Sequence, residues 1–154
     1  MPNISHNSIK ISGTEERLRA FKDLLKEGVS FFECILPAPD NASREWYDEH
    51  WGVSQISDLQ FADKEIEFNT AWAPPYEFLL RISKSYPEIV FQLHYFIIEM
   101  MWCGHVKIQD GVGSDIVYYM EDRVGMTATD IAYGRDIFGE IMEINESKNL
   151  THTL

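Results

Sequence analysis

The chain has 154 residues, 25 acidic against 13 basic side chains and a formal net charge of −12, which repels phosphates and argues against direct nucleic-acid binding. At this size a single domain buries about 70% of its unfolded surface, and two cysteines exclude a disulfide-built scaffold. No apolar run nears the roughly 20 residues of a membrane span, and the opening MPNISHNSIK lacks a basic head before a greasy stretch, so a cytoplasmic location is expected.

Residues 7–12 alternate, with Ile9 and Ile11 on one side, and predict a first strand ended by Gly13. Thr14 then caps a helix whose first turn holds Glu15 and Glu16, acids favoured by the amide dipoles there. Leu18, Phe21, Leu24 and Leu25 form its buried stripe, and Gly28 suits a left-handed position after its end. The apolar run 29–36 is expected as a second strand, stopped by Pro37 and Pro39. The segment 40–63 is longer than an ordinary connection. Within it, 41–50 predicts a short helix bearing Trp46, Tyr47 and His50, followed by Trp51, so that aromatics close over one end of the sheet.

From residue 65 the signals sharpen. Ile66, Phe68, Thr70 and Trp72 share one face of a strand. Pro74 and Pro75 cannot extend a ladder but suit a first helical turn, and Leu79, Leu80, Ile82, Ser83 and Tyr86 supply an apolar stripe up to Pro87. Ile89, Phe91, Leu93 and Tyr95 then alternate with Val90, Gln92, His94 and Phe96, which predicts a central strand parallel to the one before the helix. Further on, 104–109 and 115–120 flank Asp110-Gly111, a hairpin signal. Thr127 or Thr129 is positioned to cap a last helix over 130–145, with Ile131, Phe138, Ile141, Met142 and Ile144 on one face and Asp136, Glu140 and Glu143 on the other.

Joined, the elements spell β-α-β-β-α-β, an α+β ferredoxin-like arrangement: an antiparallel sheet with helices on one face, plus a C-terminal hairpin and helix. A single domain over 1–154 is expected, with an insertion at 40–63 and an extension at 113–154.

Sites of chemistry are sparse. The five histidines stand in no close metal motif. His94, His105 and Cys103 approach one another only if their strands are neighbours, and a fourth ligand is missing, so no metal is expected. There is no G-x-S-x-G elbow, and Gly111-Val112-Gly113 lacks the lysine of a phosphate loop. Adjacent acids such as Asp48-Glu49 and Glu121-Asp122 need not share a proton in a solvated acidic chain. No catalytic residue and no cofactor are expected.

The opening MPN with NSIKISG, the FFECILPAP phrase, Trp51-Gly52, and FNTAWAPP followed by a helix and SYPEIVFQLHY resemble the YubB ferredoxin-like domain family of phage and plasmid proteins, of the Api type. The resemblance covers about residues 1–112. It implies the ferredoxin-like topology, without an iron–sulfur cluster, and a mobile-element origin. Ile4-Ser5-His6 departs from the Trp-Cys type sequence of relatives, so no site is carried over at that end.

Together these features predict a non-enzymatic phage or plasmid accessory protein that docks on a host protein with a basic surface and inhibits a nucleic-acid-binding defence complex, as anti-CRISPR or anti-restriction factors do. The expected contact residues are Asp136, Glu140, Glu143, Glu121, Asp122, Trp46 and Trp51. One alternative is a ligand pocket or enzyme site under the insertion, using His50, Trp72, His94 and Asp110. Another is a homo-oligomer built through open sheet edges.

Overall fold

The structure, a computed structural model, describes residues 2–57, 59–62, 65–100 and 102–119, and residues 62 and 115–119 through the backbone alone. The chain runs β1 (Ile4–Ser12), α1 (Glu15–Leu24), α2 (Phe31–Ile35), α3 (Arg44–His50), β2 (Gln60–Ala62), β3 (Glu65–Ala71), α4 (Tyr76–Ser83), β4 (Val90–Ile97), β5 (Trp102–Gln109) and β6 (Val112–Tyr119), with a 3₁₀ turn at Ile98–Met100.

The six strands form one antiparallel sheet in the order β2-β3-β1-β4-β5-β6. Its first four strands have the ferredoxin-like order. β3 and β4 both run antiparallel to β1, so they are parallel to each other with β1 lying between them. The unit β3-α4-β4 is thus a split crossover.

One face of the sheet holds the core. Ile9 and Ile11 from β1, Ile66 and Phe68 from β3, Phe91 and Leu93 from β4, and Val106 and Ile108 from β5 pack against Phe21 of α1, Phe31 and Phe32 of α2, and Phe78, Leu79 and Ile82 of α4. Five of these, Phe21, Phe31, Phe32, Phe78 and Phe91, are among the largest fully buried side chains, and burying each stabilises the fold by about 1.5–3 kcal/mol relative to exposure. Phe31 stacks on Phe68 at 5.1 Å, and Phe32 meets Phe78 edge-on at 4.5 Å.

The run 29–36, expected as a strand, is helical instead. Ser30 has extended backbone angles, and its hydroxyl accepts the N–H of Glu33 at 3.0 Å, which starts α2. A continuous apolar run suits a buried helix turn as well as a buried strand, and here the cap decides. The strand that fills the second ferredoxin-like position is β2, three residues within the segment 40–63 that was expected as an insertion. Two other expectations change: β1 begins at Ile4 rather than residue 7, and Leu24 is 38% exposed instead of lying in the α1 stripe. The helix expected over 130–145 lies outside the described residues.

The predicted hairpin forms with a two-residue turn, since Gln109 pairs with Val112. Asp110 and Gly111 take φ of 48° and 76°, the left-handed pair that matches strand twist in the tightest hairpins. The Gly111 N–H donates to Ser83 Oγ at 2.8 Å, tying the turn to the end of α4. On β5, Gly104 lies opposite Tyr95, whose ring occupies the space a Cβ at 104 would need.

Candidate interaction surface

Asn41, with φ of 59°, turns the chain after Pro39, and the Ser43 hydroxyl accepts the N–H of Trp46 at 3.1 Å to start α3. On this helix Trp46 and His50 are one turn apart and stack at 4.3 Å with 10° between their rings. The His50 Nδ1–H donates to the Trp46 carbonyl at 2.8 Å, which fixes the ring.

Trp51 follows and joins this surface to the core. Its ring stacks on fully buried Phe32 at 5.4 Å, and its Nε1–H donates to the Leu36 carbonyl at 3.0 Å. Tyr47 meets Trp51 at 4.9 Å and Trp46 at 5.4 Å. The result is an aromatic ladder from Phe32 through Trp51 to Trp46 and 38%-exposed Tyr47. Between and beside its rungs, Glu45, Asp48 and Glu49 are exposed, with Arg44 exposed at the start of the helix. A rigid aromatic set among carboxylates is suited to a complementary surface with apolar hollows and cationic groups.

Trp72 lies at the same end of the strands. Strand alternation places it inward, but its φ of 72° turns it away and leaves it 63% exposed. The segment after α3 reaches this point, because the Ala71 N–H donates to the Ser54 carbonyl at 2.9 Å. Beneath it, Asn7 is 4% exposed and donates to Thr70 Oγ1 at 2.9 Å and to the carbonyls of Phe68 and Ser5, each at 3.1 Å. Ser5 Oγ donates to Asn7 Oδ1 at 2.8 Å, so this buried polar group is well satisfied.

The sheet's second face carries the histidines. His94 and His105 are paired across β4 and β5 with their rings edge to face at 4.7 Å. Burial, then the charges of His105 and Lys10, push the His94 pKa down to about 4. His6 stacks on Phe96 at 4.6 Å. Burial lowers its pKa, against weaker opposing effects of an Asn69 hydrogen bond and the Glu99 charge. Cys103 shares this face by register, yet among the described residues no group of three or more His, Cys, Asp or Glu is gathered for a metal. Cys34, expected in a strand, lies in α2, where its Sγ accepts the Lys26 N–H at 3.4 Å.

Trp46, Trp51 and His50 are therefore brought together, and Trp72 lies at the same end. His94 lies in mid-sheet on the face opposite the helices, and Asp110 lies at the far end of the strands, in the β5–β6 turn. The four residues of the pocket alternative do not converge. Asp136, Glu140, Glu143, Glu121 and Asp122 lie outside the described residues. A cleft of about 330 Å³ sits elsewhere, between α1 and residues 85–89, walled by Phe21, Leu24, Tyr86 and Ile89. Sequence periodicity missed Phe78 as a core residue and missed the exposure of Ile56 and Phe61, each 45% exposed. Short edge segments carry no signal for that.

No helix among the described residues is long and apolar enough to cross a membrane. No curated protein and no solved structure matches the chain. A family model described as the ferredoxin-like domain in Api92-like protein matches residues 46–145. The resemblance drawn over 1–112 is thus displaced: the match takes in residues after 112 and leaves β1 and α1 outside. With most of its length matched and the sheet in ferredoxin-like order, the chain belongs to the family of ferredoxin-like domains of Api92-like proteins.

Proposed function

We propose that this is a non-enzymatic accessory protein of a phage or plasmid, akin to the YubB type, that binds a host protein through its acidic aromatic end. The host target presents a basic surface, of the kind that grips nucleic acid, and its occupation inhibits a defence complex. The observation that carries this reading is the α3 ladder, in which Trp46 and Tyr47 are held by Trp51 on the core beside Glu45, Asp48 and Glu49. Aromatic side chains dominate interface energetics, and carboxylates around them favour cationic partners and speed encounter. Further contact residues in this reading, proposed from the sequence pattern alone, are Glu121, Asp122, Asp136, Glu140 and Glu143.

Affinity capture from lysate of the native host tests it. The expected result is one basic protein retained at low salt and released as ionic strength rises, with retention reduced at least about tenfold by Asp48→Lys with Glu49→Lys, or by Asp136→Lys, Glu140→Lys and Glu143→Lys together. Retention indifferent to salt and to both sets would sink the reading. So would tight binding of a bare oligonucleotide by the purified chain.

A further inference from the structure

We infer that Trp72 is a preorganised anchor that inserts into an apolar pocket rimmed by lysine and arginine on the protein partner of the preceding reading, on which this inference rests. Three residues of the same strand, Ile66, Phe68 and Thr70, are 3%, 2% and 0% exposed. The next residue in that alternation is turned out by its backbone, not by lack of room in its sequence pattern. A φ of 72° is one that glycine adopts freely and a bulky side chain adopts only under strain.

The surroundings hold that strain in place from several sides. The Trp72 N–H donates to the Asn3 carbonyl at 2.7 Å, and the Ala73 N–H donates to the Ala71 carbonyl at 2.9 Å. This closes a three-residue turn with a positive central φ, a rare and strained form. Thr70 Oγ1 donates to the Ala73 carbonyl at 2.7 Å while accepting from Asn7. A side chain displayed this way loses little freedom on binding, and such preorganisation raises affinity.

Charge specifies the partner. Glu77, in the first turn of α4, and Glu99, beside the start of β1, are both exposed at this end, together with the acids of α3. Arg44 is the exposed cation of α3 among these acids, whereas at the opposite end Lys10, Lys107 and Lys84 are interspersed with Glu65, Glu88 and Asp110. The ring at 72 is thus an exposed apolar group at an end of net negative charge, and a complementary pocket is apolar with a cationic rim.

The test compares Trp72→Gly, Trp72→Ala and Trp72→Phe with the parent chain in thermal unfolding and in binding to the captured host protein after its purification. Trp72→Gly is expected to melt above Trp72→Ala, because only glycine relieves the backbone, with neither far below the parent. Both are expected to weaken binding by about 30-fold, the scale of an interface hot spot, and Trp72→Phe to restore part of it. If both truncations melt far below the parent and glycine has no advantage, Trp72 is a packing residue and the anchor role is overturned. If the partner binds all three variants as tightly as the parent, yet is lost on charge reversal in α3, the anchor falls and the preceding reading stands. If the parent chain itself retains no host protein, both fall.

Discussion

His94 shows what a single side chain contributes to the molecule's response to pH. Its folded pKa of about 4 lies below the value near 6.5 of an unfolded chain, so between these limits the unfolded state holds more protons. Stability is therefore fully present above pH 6.5, falls as the pH drops through the window, and has lost all of this contribution below about pH 4. The full loss is on the order of 3 kcal/mol. Carboxylates titrate in part of the same range, so the informative quantity is the difference between the parent and His94→Gln. Urea unfolding at pH 7 and pH 4.5 is expected to show a smaller drop in the variant. An equal drop in both would remove His94 as the cause. Residue-scale legibility was uneven. The inward set Phe91, Leu93 and Tyr95 followed from alternation alone, whereas the outward turn of Trp72 depends on contacts to Asn3 and Ser54, which no local pattern carries.

Among the elements, those with strong punctuation were readable. Thr14 starts α1 by accepting the Arg17 N–H, Pro75 precedes α4, and Asp110-Gly111 forms the β5–β6 turn, each because one residue type satisfies a specific backbone need. The run 29–36 was not readable: its apolar residues fit either period, and the choice is made by the Ser30 cap together with burial of Phe31 and Phe32 among Phe68 and Phe78. β2, three residues long, is too short to show any period. The hairpin offers a direct check. Gly111 has φ of 76°, and a Cβ there would lie 2.7 Å from the Lys84 side chain. Lys84 is flexible and can yield, so backbone strain sets the cost, and Gly111→Ala is expected to destabilise the protein by roughly 1–2 kcal/mol in urea unfolding. No measurable change would mean that the turn adopts another form.

On the scale of the whole molecule, charge and topology act together. The acids of α3, Glu77 and Glu99 lie at the Trp72 end, and at the other end Lys10, Lys84 and Lys107 are interspersed with Glu65, Glu88 and Asp110. The net charge of −12 makes two copies repel, and the β2 edge is only three residues long, a short template for strand addition. Light scattering at micromolar concentration is expected to give the mass of one chain at both low and physiological salt. A dimer would revive self-assembly through a sheet edge. The succession β1, α1, β3, α4, β4 was legible from the alternation of periods along the chain, whereas the second strand of the ferredoxin-like order was expected at 29–36 and is β2. The reach of the family was not legible, because the match continues to residue 145, beyond the phrases that carried the resemblance.

The nine-residue strand β1 lies outside that match, yet among the described residues it is the element bonded to both β3 and β4. Without β1, the pair β2-β3 and the trio β4-β5-β6 would face each other across a slot one strand wide, about 10 Å, with backbone donors and acceptors bare on both walls. During synthesis the first strand made must wait until residue 97 has emerged before both its neighbours exist. The N-terminal segment is thus a keystone set early and locked late, and a separate peptide of the same sequence is the natural piece to fill the slot if it is cut away.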